Sequence, residues 1–508
     1  MSVTLYSAQV VGLDAQPISV EVDITPGLHV FTIVGLADKE VQESRERISS
    51  AIKNIGALPP YKKSQRVIVN LAPAHLKKEG PAFDLPIALG YLLATRQVVF
   101  DPAGILCLGE LGLDGTLRSV PGVLPMALSA RAAGFRELIV PRGNGGEAAT
   151  VRGIDVYEAK TLMDAVEHLE KRVPLPRVES APHDPATPSH GLDFKDIQGQ
   201  EKAKRALQIA AAGGHNALLS GPPGAGKSIL ASAIISILPP LLFEEAMEVT
   251  KIYSIAGLLT QSQPFVRLRP FRNPHHTSSH TAIIGGGSYP RPGEATLAHR
   301  GVLFLDEFPE FDRRVIESLR QPLEERSITV ARAHGVATFP AHFMLIAAMN
   351  PCPCGNFGNP RQDCTCSPGA VLRYRKKISG PLMDRIDLHV EVPALPYAAL
   401  QKSVEERYGS DAIRQRVEQA RSRAQERFAG LGIATNAEMS IREIKRFVHL
   451  PDALKSTIQL AYERHKLSAR SYHRILKLSR TIADLEDSRD IEERHISEAL
   501  QYRPKIET

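Results

Sequence analysis

A chain of 508 residues is too long for a single core, and its length predicts about three domains. Apolar residues at 43% and charged residues at 23% are ordinary for a soluble globular protein, and five cysteines in such a length exclude a disulfide scaffold. The net charge of +6 permits nucleic-acid contact without arguing for it.

The opening residues, MSVTLYSAQVVGLDAQ, carry no basic stretch ahead of an apolar core, so no signal peptide is expected. No apolar run reaches the roughly 18–20 residues that cross a bilayer. A cytoplasmic protein without a membrane partner is the expectation.

Strand-like and helix-like stretches alternate up to about Leu169. Ile18–Ile24 alternates apolar with polar residues, and Pro26-Gly27 is expected to turn it into a second strand, Leu28–Val34. Lys39–Ile55 has helical spacing, Arg66–Leu71 reads as another strand, and a buried helix begins near Ala82. This part resembles the proteolytic domain of Lon-type proteases, on Lys78-Glu79-Gly80-Pro81-Ala82 and on Gly109-Glu110-Leu111 with Gly115-Thr116-Leu117-Arg118 and Ala132-Ala133-Gly134-Phe135. Where that family has its nucleophilic serine this chain has Ala82, and its lysine position falls at or next to Leu124. A Ser–Lys dyad needs an oxygen to attack and an amine to take the proton, so the resemblance implies a Lon-like α+β fold over residues 1–170 without proteolysis.

Prolines at 174, 176, 182, 185 and 188 mark residues 171–190 as a semi-extended linker. An ATPase core is then expected over 191–395. Gly221-Pro222-Pro223-Gly224-Ala225-Gly226-Lys227-Ser228 lies between the apolar run Ala217–Leu219 and a helical segment, which is the full pattern of a phosphate-binding loop. Its glycines let backbone N–H groups converge, Lys227 reaches the outer phosphates of ATP, and Ser228 ligates Mg2+. Gly301–Leu305 is a buried strand ending in Asp306, expected to hold Mg2+ through water, and Glu307, expected to polarise the attacking water. Phe343–Met349 ends at Asn350, whose side chain is placed to orient that water.

The order of loop, acidic strand and strand with a terminal Asn resembles the AAA+ ATPases. Ala298-His299-Arg300-Gly301, Asn350-Pro351 and Leu382-Met383-Asp384-Arg385-Ile386-Asp387 narrow the resemblance to the Mg-chelatase-like branch, close to its ComM/YifB group. Members are implied to be hexameric motors, and ComM a DNA branch-migration helicase of natural transformation. The resemblance implies that Arg385 completes a neighbouring subunit's site, with a salt bridge to Asp384 or Asp387 as the alternative. It likewise makes Arg470 the candidate sensor arginine, with Arg474 as rival.

Two loops are expected to face a pore. One is Ile283–Gly293, carrying Arg291; the other is a hairpin over Ser327–Phe339 with Arg332 and His334 near its tip. Both are candidate DNA contacts, or structural turns. His275, His276 and His280 suggest a polar network near nucleotide or substrate more than a metal site, since no carboxylate or cysteine accompanies them in sequence. Cys352, Cys354, Cys364 and Cys366 form two C-x-C pairs about a Gly/Asn/Pro-rich loop, a candidate Zn2+ site, with labile disulfides or an unmetallated loop as alternatives. Arg373-Tyr374-Arg375-Lys376-Lys377 is the densest basic run, a candidate nucleic-acid contact or a solvated face. Residues 396–508 read as an all-helical lid.

The expected function is an ATP-driven, ring-forming homo-oligomer acting on DNA. A chelatase motor is a rival, although the D-x-S-x-S metal-adhesion module of its partners is not found in this chain. A protein-remodelling ATPase is the other.

Overall fold

The computed structural model describes residues 2–180, 192–287, 290–332, 335–359, 362–396, 409–464 and 468–504. The second half of the expected linker, together with Ser288, Tyr289 and His334 of the expected pore loops, lies outside these residues, as does the side chain of Arg332. No helix among the described residues is long and apolar enough to cross a membrane. The chain divides into two compact units, Met1–Asp184 with Phe243–Arg267, and Pro185–Leu242 with Leu268–Thr508.

In the first unit, Ser2–Val11 runs antiparallel to Asp14–Pro26, bringing Leu5 opposite Val20. The alternation seen in sequence is real: Ile18, Val20 and Val22 point into the core at 0% exposure. The expected second strand is Val30–Val34, but it does not pair with its predecessor. A strand has two edges, and those of Asp14–Pro26 are taken by Ser2–Val11 and Gln65–Ala72, so Val30–Val34 runs parallel to Gln65–Ala72 at the sheet edge. Helix Lys39–Asn54 starts where Asp38 accepts from the Val41 N–H (2.8 Å), and buries Val41, Ile48 and Ile52 against this sheet. Its Arg47 meets the buried Asp84 with two bonds, of 2.7 and 3.0 Å. Burial nonetheless raises the Asp84 carboxyl to about 6.

A three-stranded parallel sheet, Ile105–Cys107, Glu137–Pro141 and Asp155–Ala159, belongs to the same unit. So does helix Phe243–Ile255, although in sequence it stands between the phosphate-binding loop and the acidic strand. Ser254 fastens it: its carbonyl accepts from Gly122 N–H (2.9 Å) and its hydroxyl donates to the buried Glu147 (2.6 Å).

The second unit is built on a five-stranded parallel sheet in the order Phe271–Arg272, Val302–Leu305, Met344–Met349, Ala217–Ser220, Leu388–Glu391. Val302–Leu305, Met344–Met349 and all but the last residue of Ala217–Ser220 are apolar because both sheet faces are covered, whereas Leu388–Glu391 at the sheet edge carries His389 and Glu391. Helices Ser410–Arg427, Ile441–Phe447, Asp452–Arg464, Ala469–Leu485 and Glu493–Gln501 follow. Their Val417, Ile482 and Ile496 join Leu219, Phe304 and Leu388 in one core cluster. The lid helices therefore share the core of the sheet. Residues 327–340 form the expected hairpin, Ser327–Arg332 against Gly335–Pro340, and Gly285–Gly286 pairs with Arg291–Pro292 in the other loop.

Candidate functional site

In a parallel sheet all strand carboxyl ends meet at one edge, and ligands bind outside it. Three loops converge there. Ser220 leads into the phosphate-binding loop, in which Gly224 and Gly226 have φ of +75° and +90°, conformations open to glycine at little cost. The loop ends at helix Lys227–Ala233. Leu305 leads to Asp306 and Glu307, and Met349 leads to Asn350. Together they line a cavity of about 350 Å3.

Lys227 Nζ donates to the carbonyls of Gly221 (2.7 Å) and Pro222 (2.9 Å) and to Asn350 Oδ1 (3.1 Å). Burial lowers its pKa, partly offset by the charges of Asp306 and Glu307. Ser228 Oγ donates to Asp306 Oδ2 at 2.6 Å, so the hydroxyl and carboxylate suited to one Mg2+ already face each other. Glu307 adopts φ +50°, a strained backbone for a side chain of this size, and one that recurs at working sites. Its carboxylate is 3.0 Å from His276 Nδ1. No spacing rule exposes that pair, because His276 arrives on the loop after Phe271–Arg272. A carboxylate thus does accompany the histidine cluster, but it belongs to the nucleotide cavity, and among the described residues only the four-cysteine cluster groups metal-binding side chains.

Arg385, Arg470 and Arg474 do not line that cavity. Arg385 bonds to Glu324 and donates from Nη1 to the Pro381 carbonyl (2.6 Å) rather than pairing with Asp384 or Asp387. Arg470, about half exposed, reaches the same Glu324 oxygen at 3.1 Å. Arg474 is 13% exposed, lies 3.5 Å from Asp387 and donates to the Ile386 carbonyl (3.3 Å). Asp387 also faces His215 Nδ1 (3.2 Å), and these partners hold its carboxyl far below the ordinary range although burial opposes them.

Three family models match in succession: subunit ChlI of Mg-chelatase over residues 20–144, magnesium chelatase subunit ChlI over 193–400, and the ChlI C-terminal model over 407–503. The competence protein ComM of Haemophilus influenzae is 42% identical over 508 residues, covering 99% of this chain and 97% of that protein. The chain belongs to the Mg-chelatase-like ComM/YifB family. YifB of Escherichia coli, described as uncharacterized, is also 42% identical, over 98% of this chain and 96% of its own. The DNA replication licensing factor Mcm6 of Drosophila melanogaster is 24% identical over 340 residues, covering 61% of this chain and 37% of that protein. The mixed α/β unit with a parallel sheet and a helical C-terminal part is the AAA+ architecture of this family.

Beside the nucleotide cavity, this ComM/YifB chain gathers Cys352, Cys354, Cys364 and Cys366 with all four Sγ atoms within 4.8 Å of one another. Separations of 3.4, 3.6 and 3.6 Å among the first three approach the edge of about 3.8 Å that a tetrahedron of Zn–S bonds requires. N–H groups of Asn356 and Thr365 hold the Cys354 thiol well below its ordinary range. Gly355, at φ +83°, lets the cysteine loop close onto the phosphate-binding loop: a Cβ there would stand 2.6 Å from Pro223 Cδ.

The basic run divides in two. Arg373 and Lys376 are exposed. Arg375 donates to the Pro351 carbonyl (3.3 Å) and lies over the Phe357 ring at 5.2 Å, while Lys377 pairs with Glu310 at 2.8 Å. Arg291 is exposed on its short strand.

Proposed function

We propose that this protein is an ATP-hydrolysing, ring-forming motor, hexameric by family resemblance, that moves DNA strands or junctions, as in branch migration during natural transformation. The observation that carries the reading is the convergence of Lys227, Ser228, Asp306, Glu307 and Asn350 on one cavity that no arginine among the described residues lines. Hydrolysis needs a cation at the transferred phosphoryl. Arg385 supplies it from a neighbouring subunit, and Arg470 acts as the sensor arginine. Lys227 and the loop N–H groups bind the phosphates of ATP, Ser228 and Asp306 hold Mg2+, Glu307 activates water and Asn350 orients it.

DNA as the substrate is supported by the similarity to a protein named for competence and to one named for DNA replication. Arg291, Arg332, His334 and the run Arg373 to Lys377 are the proposed contacts, with Arg373 and Lys376 foremost. The four cysteines hold a structural Zn2+. The first unit is a Lon-like domain without peptidase chemistry, a reading supported by alanine at 82 and leucine at 124, both buried in one apolar cluster, at the two positions where a nucleophile and a base would be needed.

The test is branch migration and strand displacement on four-way and forked DNA with ATP, with Lys227→Ala as control. ATP-dependent movement that the variant lacks is the expected result; intact turnover without movement on any such substrate overturns the DNA reading and leaves the chelatase-like or protein-remodelling motor.

A further inference from the structure

Glu324 is the next-to-last residue of helix Arg320–Glu325, separated by two residues from the hairpin strand Ser327–Arg332. One of its carboxylate oxygens, Oε1, binds two guanidinium groups, Arg385 Nη2 and Arg470 Nη2. These are the two arginines assigned above to the nucleotide, and neither lines this chain's own nucleotide cavity. What sets the two apart from Arg474 is the partner they share, a carboxylate that is itself half exposed. Arg474, one turn beyond Arg470, is as little exposed as Arg385 (13% against 10%), but it spends its guanidinium on the largely buried Asp387 and a carbonyl. Arg470 is about half exposed and stands in the first turn of its helix, where the helix dipole disfavours a cation, so an outside carboxylate must compensate it. Arg385 keeps a buried Nε with no partner among the described residues, so its fork is incompletely used. Glu324 itself is half exposed, and its carboxyl is held below the ordinary range mainly by Arg385. The pair with Arg470, half exposed on both sides, is worth little in water, the pair with the less exposed Arg385 is the firmer of the two, and a phosphate competes for both guanidinium groups with more charge and more acceptor oxygens than one carboxylate.

The element that carries Glu324 is also the root of the hairpin. Arg326, between the helix and the strand, adopts φ +57° and pairs with Glu438 at 3.1 Å, so the turn is pinned on the lid side while Glu324 points to the arginines. A displacement of the hairpin is therefore passed to Glu324 over two residues of backbone.

We propose that Glu324 is a positioning residue that parks Arg385 and Arg470 on one carboxylate, and that movement of the hairpin by bound nucleic acid releases them to the nucleotide. This rests on the motor reading above. Glu324 touches no substrate; it governs when the arginines are available.

The experiment compares ATP turnover by the full-length wild type, Glu324→Gln and Glu324→Asp with and without DNA, alongside thermal unfolding. Glu324→Gln keeps the shape and removes the charge. Its DNA-stimulated to DNA-free turnover ratio is expected to fall by about threefold or more, through a rise in DNA-free kcat, with KM for ATP unchanged. Glu324→Asp, which retains the charge, is expected to restore most of the ratio, and it serves as the test should the Gln variant fail to fold, its shorter reach then lowering the ratio in part. A ratio equal to that of the wild type in the folded variants, whatever their melting temperature, overturns the proposal and leaves an ordinary ion pair. Failure of the motor reading has a different signature: no turnover by the wild type, or turnover untouched by Arg385→Ala.

Discussion

His276 Nδ1 lies 3.0 Å from Glu307 Oε2, joining the proposed catalytic carboxylate to a loop some thirty residues upstream. Glu307 has a strained backbone and a half-exposed side chain, so this contact is what limits its rotation. Glu307→Gln is expected to retain ATP binding and to lose turnover by about 10^2-fold or more. His276→Ala is expected to lower kcat by about tenfold with KM little changed, whereas His276→Gln keeps a donor and most of the activity. Steady-state kinetics separates these outcomes, and a His276→Ala enzyme with wild-type kcat removes the positioning role.

Arg385 stands apart from its own chain's cavity, so its loss should spare nucleotide affinity. Arg385→Ala is expected to bind a fluorescent ATP analogue normally and to lose about 10^3-fold in kcat. Mixing it with Lys227→Ala protein tests the trans arrangement: mixed rings pair an intact site with an intact arginine and regain part of the turnover. No recovery on mixing would count against an arginine donated between subunits.

The cysteine loop rests on the phosphate-binding loop through Gly355 and Pro223. Elemental analysis is expected to find about one zinc per chain. Gly355→Ala places a methyl group against Pro223 at a φ of +83°, so KM for ATP is expected to rise by about tenfold while zinc content stays the same. Cys352→Ser is expected to lower zinc content and to raise KM for ATP as well. Full metal content with normal KM in both variants would dissociate the loop from nucleotide binding.

Acid should loosen the second unit through His389. Burial, reinforced by the charges of Arg503 and Arg474, holds this histidine down to about 4, against 6.5 for an ordinary one. Between those values the unfolded chain takes a proton that the folded chain refuses. The contribution is intact above pH 6.5 and is lost as pH falls toward 4, at a cost of order 3 kcal/mol. His389→Leu is expected to show a flatter fall of melting temperature across this window than the wild type; parallel curves would assign the acid sensitivity to other groups.

Salt titration distinguishes the two halves of the basic run. Arg373→Ala and Lys376→Ala are expected to weaken DNA binding across sequences and to reduce the log–log salt slope by about one each. Arg375→Ala is expected instead to disturb the cysteine loop, because its guanidinium serves Pro351 and Phe357, and zinc retention reports that.

What the amino-acid sequence determined by itself is local chemistry on a regular frame. Gly221–Ser228, Asp306-Glu307 and Asn350 were legible because a phosphate-binding loop needs fixed spacing along one stretch of chain, and because buried parallel strands read as apolar runs ending at polar residues. The four cysteines were legible for the same reason, and so were the helices of residues 410–501, from their 3.6-residue period. Tertiary structure alone decided that Val30–Val34 pairs with Gln65–Ala72, that Phe243–Ile255 packs with the first unit, that His276 meets Glu307, and that Arg385 and Arg470 share Glu324. Each of these joins residues far apart in sequence. Such contacts depend on which faces remain to be covered once the sheet is assembled, and no local period or spacing encodes that.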